Sequence, residues 1–251
     1  MKTLLSLILL LLSISLYAQI VNVNPDPNGD PWIAGDALPM TPEMETTVPV
    51  MVLTSQSALD SLPYVVKNNE LKYMPPVFDQ LWTGSCIHAS EVWYCFTYEI
   101  NRLRDVSAGD AIDTLTNLYH PFFTYNFLND GDSTAWTMQQ SGFDIIKVNG
   151  CPSFDDYDDP ALDSASLMHL YWMHGYDKYY RGMHNKIDST AFIHWDSTLN
   201  SLELLKHWIA DHNNGDETGG LAEILIYAWS GWQYFALFPY GSPEFGKQWN
   251  P

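Results

Sequence analysis

The chain has 251 residues, 46% of them hydrophobic and 14% aromatic, which is enough apolar material for one large domain or two small ones and too much for global disorder. Against 30 Asp and Glu stand only 11 Lys and Arg, a formal charge of −19. With no basic stripe to neutralise phosphates, nucleic acid is not an expected partner, and an anionic membrane surface is disfavoured.

The N-terminus speaks to compartment. In "MKTLLSLILLLLSISLYAQ" one basic residue, Lys2, precedes an apolar core from Leu4 to Leu12, and the small Ala18 stands before Gln19. This is the pattern of a secretory signal peptide, so residues 1–18 are set apart from the fold. The protein is expected to be secreted, periplasmic or at the cell surface. The stretch is short for a membrane span and no later segment is apolar for long enough, so no stable membrane insertion is expected. An exported chain can use disulfides, but three cysteines make no framework and at least one stays unpaired.

Residues 19–73 read as an N-terminal arm or short prosegment. "VNVNPDPNGDPW" carries Asn-Pro, Asp-Pro and Asn-Gly in succession, which is turn chemistry, and "VPVMVLT" is a plausible short strand. No internal repeat at a solenoid period is present.

From Cys86 the pattern changes. Val92, Phe96, Ile100 and Leu103 recur at three- and four-residue spacing up to Arg104, which predicts a helix. Gly84 and Ser85 supply the turn and a capping hydroxyl at its start. Cys86 therefore falls at a helix N-terminus, where unpaired N–H groups and the helix dipole favour the thiolate. A thiol of pKa about 8.5 falls to roughly 3.5–7.5 in such places. Cys95 lies about half a turn round the helix at ~100° per residue, and is expected to face the core. Gln80 stands six positions before Cys86. Acyl transfer by a thiolate develops an oxyanion, and a glutamine amide plus a backbone N–H at the helix start supply suitable donors.

The stretch "PPVFDQ-LWT-GSC" resembles the active-site segment of the papain-like cysteine peptidases, in which a Pro-Val pair and a glutamine precede Cys-Gly-Ser-Cys-Trp at the start of the central helix. The resemblance makes Gln80 the oxyanion glutamine and Cys86 the nucleophile. Gly84, Ser85 and Gly131 would contact substrate, Gly131 as the glycine strip within "NLYHPFFTYNFLNDGD". Two departures stand out. Thr83 occupies the place of the family's first cysteine, so that disulfide should be missing, and Ile87 replaces the aromatic after the nucleophile. Further on, "AWTMQQSGFDIIKVNGCPSFDDYDD" is similar to the next helix and turn, with Gly150 and Tyr157 as landmarks. "LELLKHWIADHNNGDETGGLAEILIYAW" is similar to the helix and strand that open the second lobe, the strand falling at Leu221–Trp229.

The implied fold is α+β, a papain-like two-lobe architecture. A helical lobe spans 74–195 with its central helix starting near Cys86, and an incomplete β-rich lobe begins at 196 and runs to 251. The implied function is a secreted cysteine endopeptidase acting on protein or peptide substrates, with no cofactor and no metal. The family's general-base histidine and orienting asparagine follow the second-lobe strand, but the last histidine here is His212. Both are therefore expected beyond Pro251, and this chain alone is expected to be inactive. His194, in "AFIHWD", is the internal alternative for the base. Two rival functions are a catalytically inactive papain-fold binding protein and a secreted carbohydrate-active protein.

Other clusters read more plainly. The acidic stretch "DDYDDPALD" lacks the alternation and distal Glu of a calcium loop and reads as a solvated turn. His169, His174 and His184 are separated by five and ten residues, which does not put an i, i+4 ligand pair on one helical face.

Overall fold

A computed structural model describes residues 37–38, 40–52, 62–80, 83–108, 112–157, 172–193 and 199–225. The organising element is a continuous helical run with three windings: α2 (Cys86–His88), a π-helical segment (Ala89–Phe96) and α3 (Thr97–Arg104). Val92, Phe96 and Ile100 form the expected apolar stripe and join one core cluster with Tyr119, Phe122, Phe123, Tyr125, Ile146 and Tyr157. The π segment carries an extra residue per turn, with the Thr97 N–H and hydroxyl both donating to the Val92 carbonyl, the hydroxyl at 3.0 Å. The fourth member of the expected stripe, Leu103, stands 74% exposed instead of buried. Asp105 ends α3 in the left-handed region (φ 55°), held there by Lys72 at 2.7 Å and the Tyr73 hydroxyl at 2.9 Å.

Shorter elements surround this run. They are β1 (Ala37–Leu38), α1 (Pro42–Thr47), a 3₁₀ turn (Asn68–Glu70), a second 3₁₀ turn (Ile112–Asn117) and α4 (Pro121–Tyr125). β2 (Thr137–Met138), α5 (Ser141–Asn149), α6 (Phe154–Tyr157), α7 (Tyr176–Gly182) and α8 (Leu199–Asp211) follow. The described part is thus mixed and helix-dominated. β1 pairs with β2 in parallel, Ala37 opposite Thr137 and Leu38 opposite Met138. α1 begins with Thr41, whose hydroxyl accepts the Met44 N–H at 3.2 Å, and Pro42 in the first turn. α4 begins with His120 and Pro121, the imidazole Nδ1 accepting the Phe122 N–H at 3.1 Å. Gly150 terminates α5 at φ 75°, where a Cβ would meet the Gly182 carbonyl at 2.2 Å, so the position demands glycine twice over.

Three expectations change here. Residues Asp36–Ile224 pack as one compact unit, so the described residues of 19–73 are part of the body and not a detached arm. The Ala108 N–H donates to the Lys72 carbonyl at 2.8 Å, and Val50 forms a parallel bridge with Phe192, the one pairing that "VPVMVLT" makes among the described residues. A lobe boundary at 195/196 does not divide this unit, and residues 199–225 form α8 followed by turns and irregular chain instead of β structure. The expected strand at Leu221–Trp229 is absent over 221–225, and the Leu221 carbonyl, like those of Gly219 and Gly220 before it, goes to a side chain. The Gly219 carbonyl accepts the Tyr98 hydroxyl at 2.6 Å, that of Gly220 the Asn68 amide at 3.0 Å and that of Leu221 the Trp208 indole N–H at 2.7 Å. Residues 1–18, 226–229 and the remainder to 251 lie outside the described residues. Among the described residues no helix is long and apolar enough to cross a membrane.

Candidate active site

Cys86 is the first residue of α2, and Ala89 donates the first intrahelical bond to the Ser85 carbonyl at 2.8 Å. The Gln80 amide nitrogen lies 3.3 Å from the Cys86 sulfur and 3.2 Å from the Thr83 carbonyl. The six-residue separation thus closes into a loop that returns the amide to the thiol. Ser85 does not cap the helix: its backbone sits at φ −95°, ψ 17°, and its side chain makes no bond to the first-turn N–H groups. Its buried hydroxyl pairs at 2.7 Å with that of Thr83, which also donates to the Gln80 carbonyl at 2.7 Å.

Gly84 holds this loop against the turn before β2. Its N–H donates to the Ser133 carbonyl at 2.8 Å, and a Cβ would meet the Ala135 carbonyl oxygen at 2.3 Å. The Tyr125 hydroxyl reaches the Ser133 and Ala135 carbonyls at 2.9 Å each, pinning the same turn from the core side. Gly131 lies at the exposed end of that turn at φ 81°, its N–H donating to Asn129 at 3.0 Å and its Cβ direction open. The structure therefore brings Gln80, Gly84, Ser85 and Cys86 into one loop. Gly131 is on the adjoining turn, and Gly84 and Ser85 serve the loop's own packing.

None of the three cysteines is in a disulfide: Cys86 is half-buried, Cys95 and Cys151 are buried. Burial pushes both buried thiols up, and for Cys95 the nearby Glu223, Glu91 and Glu99 charges add to it. Cys95 faces the interior, as its position round the helix suggests.

Five of the described histidines make contacts away from the Cys86 loop. His88 Nδ1 is 2.8 Å from the Thr124 hydroxyl, and His120 stacks on Tyr157 and caps α4. Burial lowers both imidazoles to about 3, so they are neutral. His207 faces Asp211 at 3.2 Å, and His212 faces Glu99 and the Thr218 carbonyl. His184 packs edge-on to Tyr180, and His169 and His194 lie outside the described residues. Among the described residues no three His, Cys, Asp or Glu side chains gather as a metal-binding group. In the acidic stretch, Asp156 is paired with Arg181.

One feature the sequence reading missed lies one turn beyond Cys86. Glu91 is fully buried, and its carboxyl oxygens accept the backbone N–H groups of Gln140 and Phe143, the latter at 3.1 Å. Glu223, half-buried, hydrogen-bonds to it from the segment after α8. Burial raises the Glu91 carboxyl well above its ordinary value, with the Glu223 charge adding, and raises Glu223 to about 7. The available signal was a lone acid inside an apolar helical run.

No protein-family model, curated protein or solved structure matches the chain.

Proposed function

We propose that the protein is a secreted papain-like cysteine peptidase with Cys86 as nucleophile and Gln80 as oxyanion donor. The observation that carries this reading is the Gln80 amide nitrogen 3.3 Å from the Cys86 sulfur at the first residue of the central helix. An amide N–H there stabilises a thiolate before reaction and a developing oxyanion during it. The Cys86 sulfur bonds to the substrate carbonyl carbon, the C–N bond breaks and the amine leaves with a proton from a general acid. Water then cleaves the thioester, releasing the carboxylic acid and restoring the thiol. The acid and base are a single histidine in this family, and His88, His120, His207 and His212 are engaged elsewhere. The two-lobe architecture and export through residues 1–18 belong to the same reading. The test is hydrolysis of a fluorogenic peptide by the full-length protein and its Cys86→Ala variant. Loss of turnover with an unchanged circular dichroism spectrum is expected, and activity surviving in Cys86→Ala ends the proposal.

A further inference from the structure

A glutamine amide reaches a neighbour with either its oxygen or its nitrogen, and only the nitrogen end serves an oxyanion. The two ends differ by a rotation about the last side-chain bond, so something must select one of them. In this loop the selection comes from Thr83. Its carbonyl accepts from the same Gln80 nitrogen that faces Cys86, at 3.2 Å. Rotating the amide would set an oxygen against that carbonyl oxygen. The Thr83 hydroxyl in turn donates to the Gln80 backbone carbonyl at 2.7 Å. A hydroxyl has one proton, so in the 2.7 Å contact with Ser85 the Ser85 hydroxyl is the donor. A directed chain results, from Ser85 to Thr83 to the Gln80 backbone, while the Gln80 side chain points back at the Thr83 carbonyl and on to the sulfur. Thr83 is 6% exposed and Ser85 0%, so water does not compete for these bonds.

We infer that Thr83 is the positioning residue of the site, orienting the Gln80 amide toward Cys86 through its hydroxyl and its carbonyl. This rests on the peptidase reading for its catalytic meaning, and on the loop geometry alone for its effect on the thiol. Thr83 stands where the resembled family carries a cysteine, and here a hydroxyl relay within the loop does the holding.

The experiment uses the full-length protein and reads the rate of Cys86 carboxamidomethylation by iodoacetamide against pH, by mass spectrometry, beside peptide hydrolysis. Thr83→Val keeps the shape and removes both hydroxyl bonds; Thr83→Ser keeps them. Thr83→Val should move the alkylation midpoint to higher pH and lower kcat about tenfold or more, bounded by the ~10²–10³ lost with an oxyanion donor, with KM little changed. Thr83→Ser should match wild type, and Ser85→Ala, which removes only the outer donor, should shift the midpoint less in the same direction. On a Gln80→Ala background Thr83→Val should add nothing, because it acts through Gln80. An equal effect of Thr83→Val with and without Gln80 overturns the inference, as does a wild-type profile for Thr83→Val. Should Thr83→Val not fold, Ser85→Ala with and without Gln80 decides by the same criterion. Activity retained by Cys86→Ala refutes the peptidase reading instead, and leaves the alkylation arm to decide on Thr83.

Discussion

Glu91 Oε2 accepts the Phe143 N–H at 3.1 Å, so a carboxyl from the central helical run closes the N-terminus of α5. Gly142 makes the approach possible: a Cβ there would meet Glu91 Oε2 at 2.4 Å and His88 Nδ1 at 3.1 Å. Gly142→Ala should therefore destabilise the protein by about 1–3 kcal/mol, the usual cost of overpacking, in spite of alanine's better helix propensity. Urea unfolding followed by circular dichroism measures it. A neutral or stabilising result would mean that α5 is not held at this distance.

Glu223 and Glu91 set the alkaline side of the stability profile. The folded protein keeps protons on carboxyls that the unfolded chain releases near 4.5, Glu223 being raised to about 7 and Glu91 also raised, both chiefly by burial. The Glu223 contribution is full below about pH 4.5 and is lost as pH rises through about 7, and Glu91 acts in the same sense. Glu223→Gln removes one titration and retains a hydrogen-bonding amide. The melting temperatures of the variant and wild type should run together near pH 5 and separate by pH 8, the wild type falling further. Parallel curves across that range would remove the pair from the pH response.

His88 and His120 act in the opposite sense. Burial lowers each to about 3, whereas the unfolded imidazole titrates near 6.5, so the unfolded state binds protons first as pH falls. Their contribution is present above pH 6.5 and is lost down toward pH 3. Between 4.5 and 6.5 the carboxyl pair offsets them, and below 4.5 the imidazoles act alone. His88→Gln should lose less of its urea midpoint than wild type between pH 7 and pH 4. Equal losses would place the acid sensitivity elsewhere.

Cys86 should react first of the three thiols. Burial raises the thiols of Cys95 and Cys151, and both side chains are inaccessible. Under native conditions at pH 7, iodoacetamide should label Cys86 about tenfold or more faster than either. Mass-spectrometric mapping decides, and comparable labelling of Cys95 would contradict its place in the interior.

What the sequence made legible was local. Gln80 and Cys86 are close in the chain, and the glycine and helical pattern between and after them carry the geometry, so the return of the amide to the sulfur could be read from spacing. The Val92, Phe96 and Ile100 stripe was readable for the same reason. Leu103 did not follow the stripe, and the π turn itself has no signature in apolar periodicity. The capping role expected of Ser85 failed because Thr83 is a nearer partner for its hydroxyl. The partnership of Glu91 with Gln140, Phe143 and Glu223, and the ties of Gly219–Leu221 to Tyr98, Asn68 and Trp208, join residues far apart in the chain. Periodicity has no access to such pairs, and the Leu221 carbonyl taken by Trp208 is one the expected strand would have offered to a neighbour.

The π segment Ala89–Phe96 bears on how this protein tolerates changes in length. Removing any one residue from it would allow ordinary α winding throughout, a lower-energy path for the backbone itself. The same deletion would turn everything on its N-terminal side by about 100° and draw it in by about 1.5 Å relative to Ile100. The loop from Gln80 to Cys86 would then swing as one body away from the Ser133 and Ala135 carbonyls against which Gly84 packs, while the Ile100 contacts stayed whole. A chain one residue shorter would hold the better helix with its thiol loop lifted off the turn that seats it.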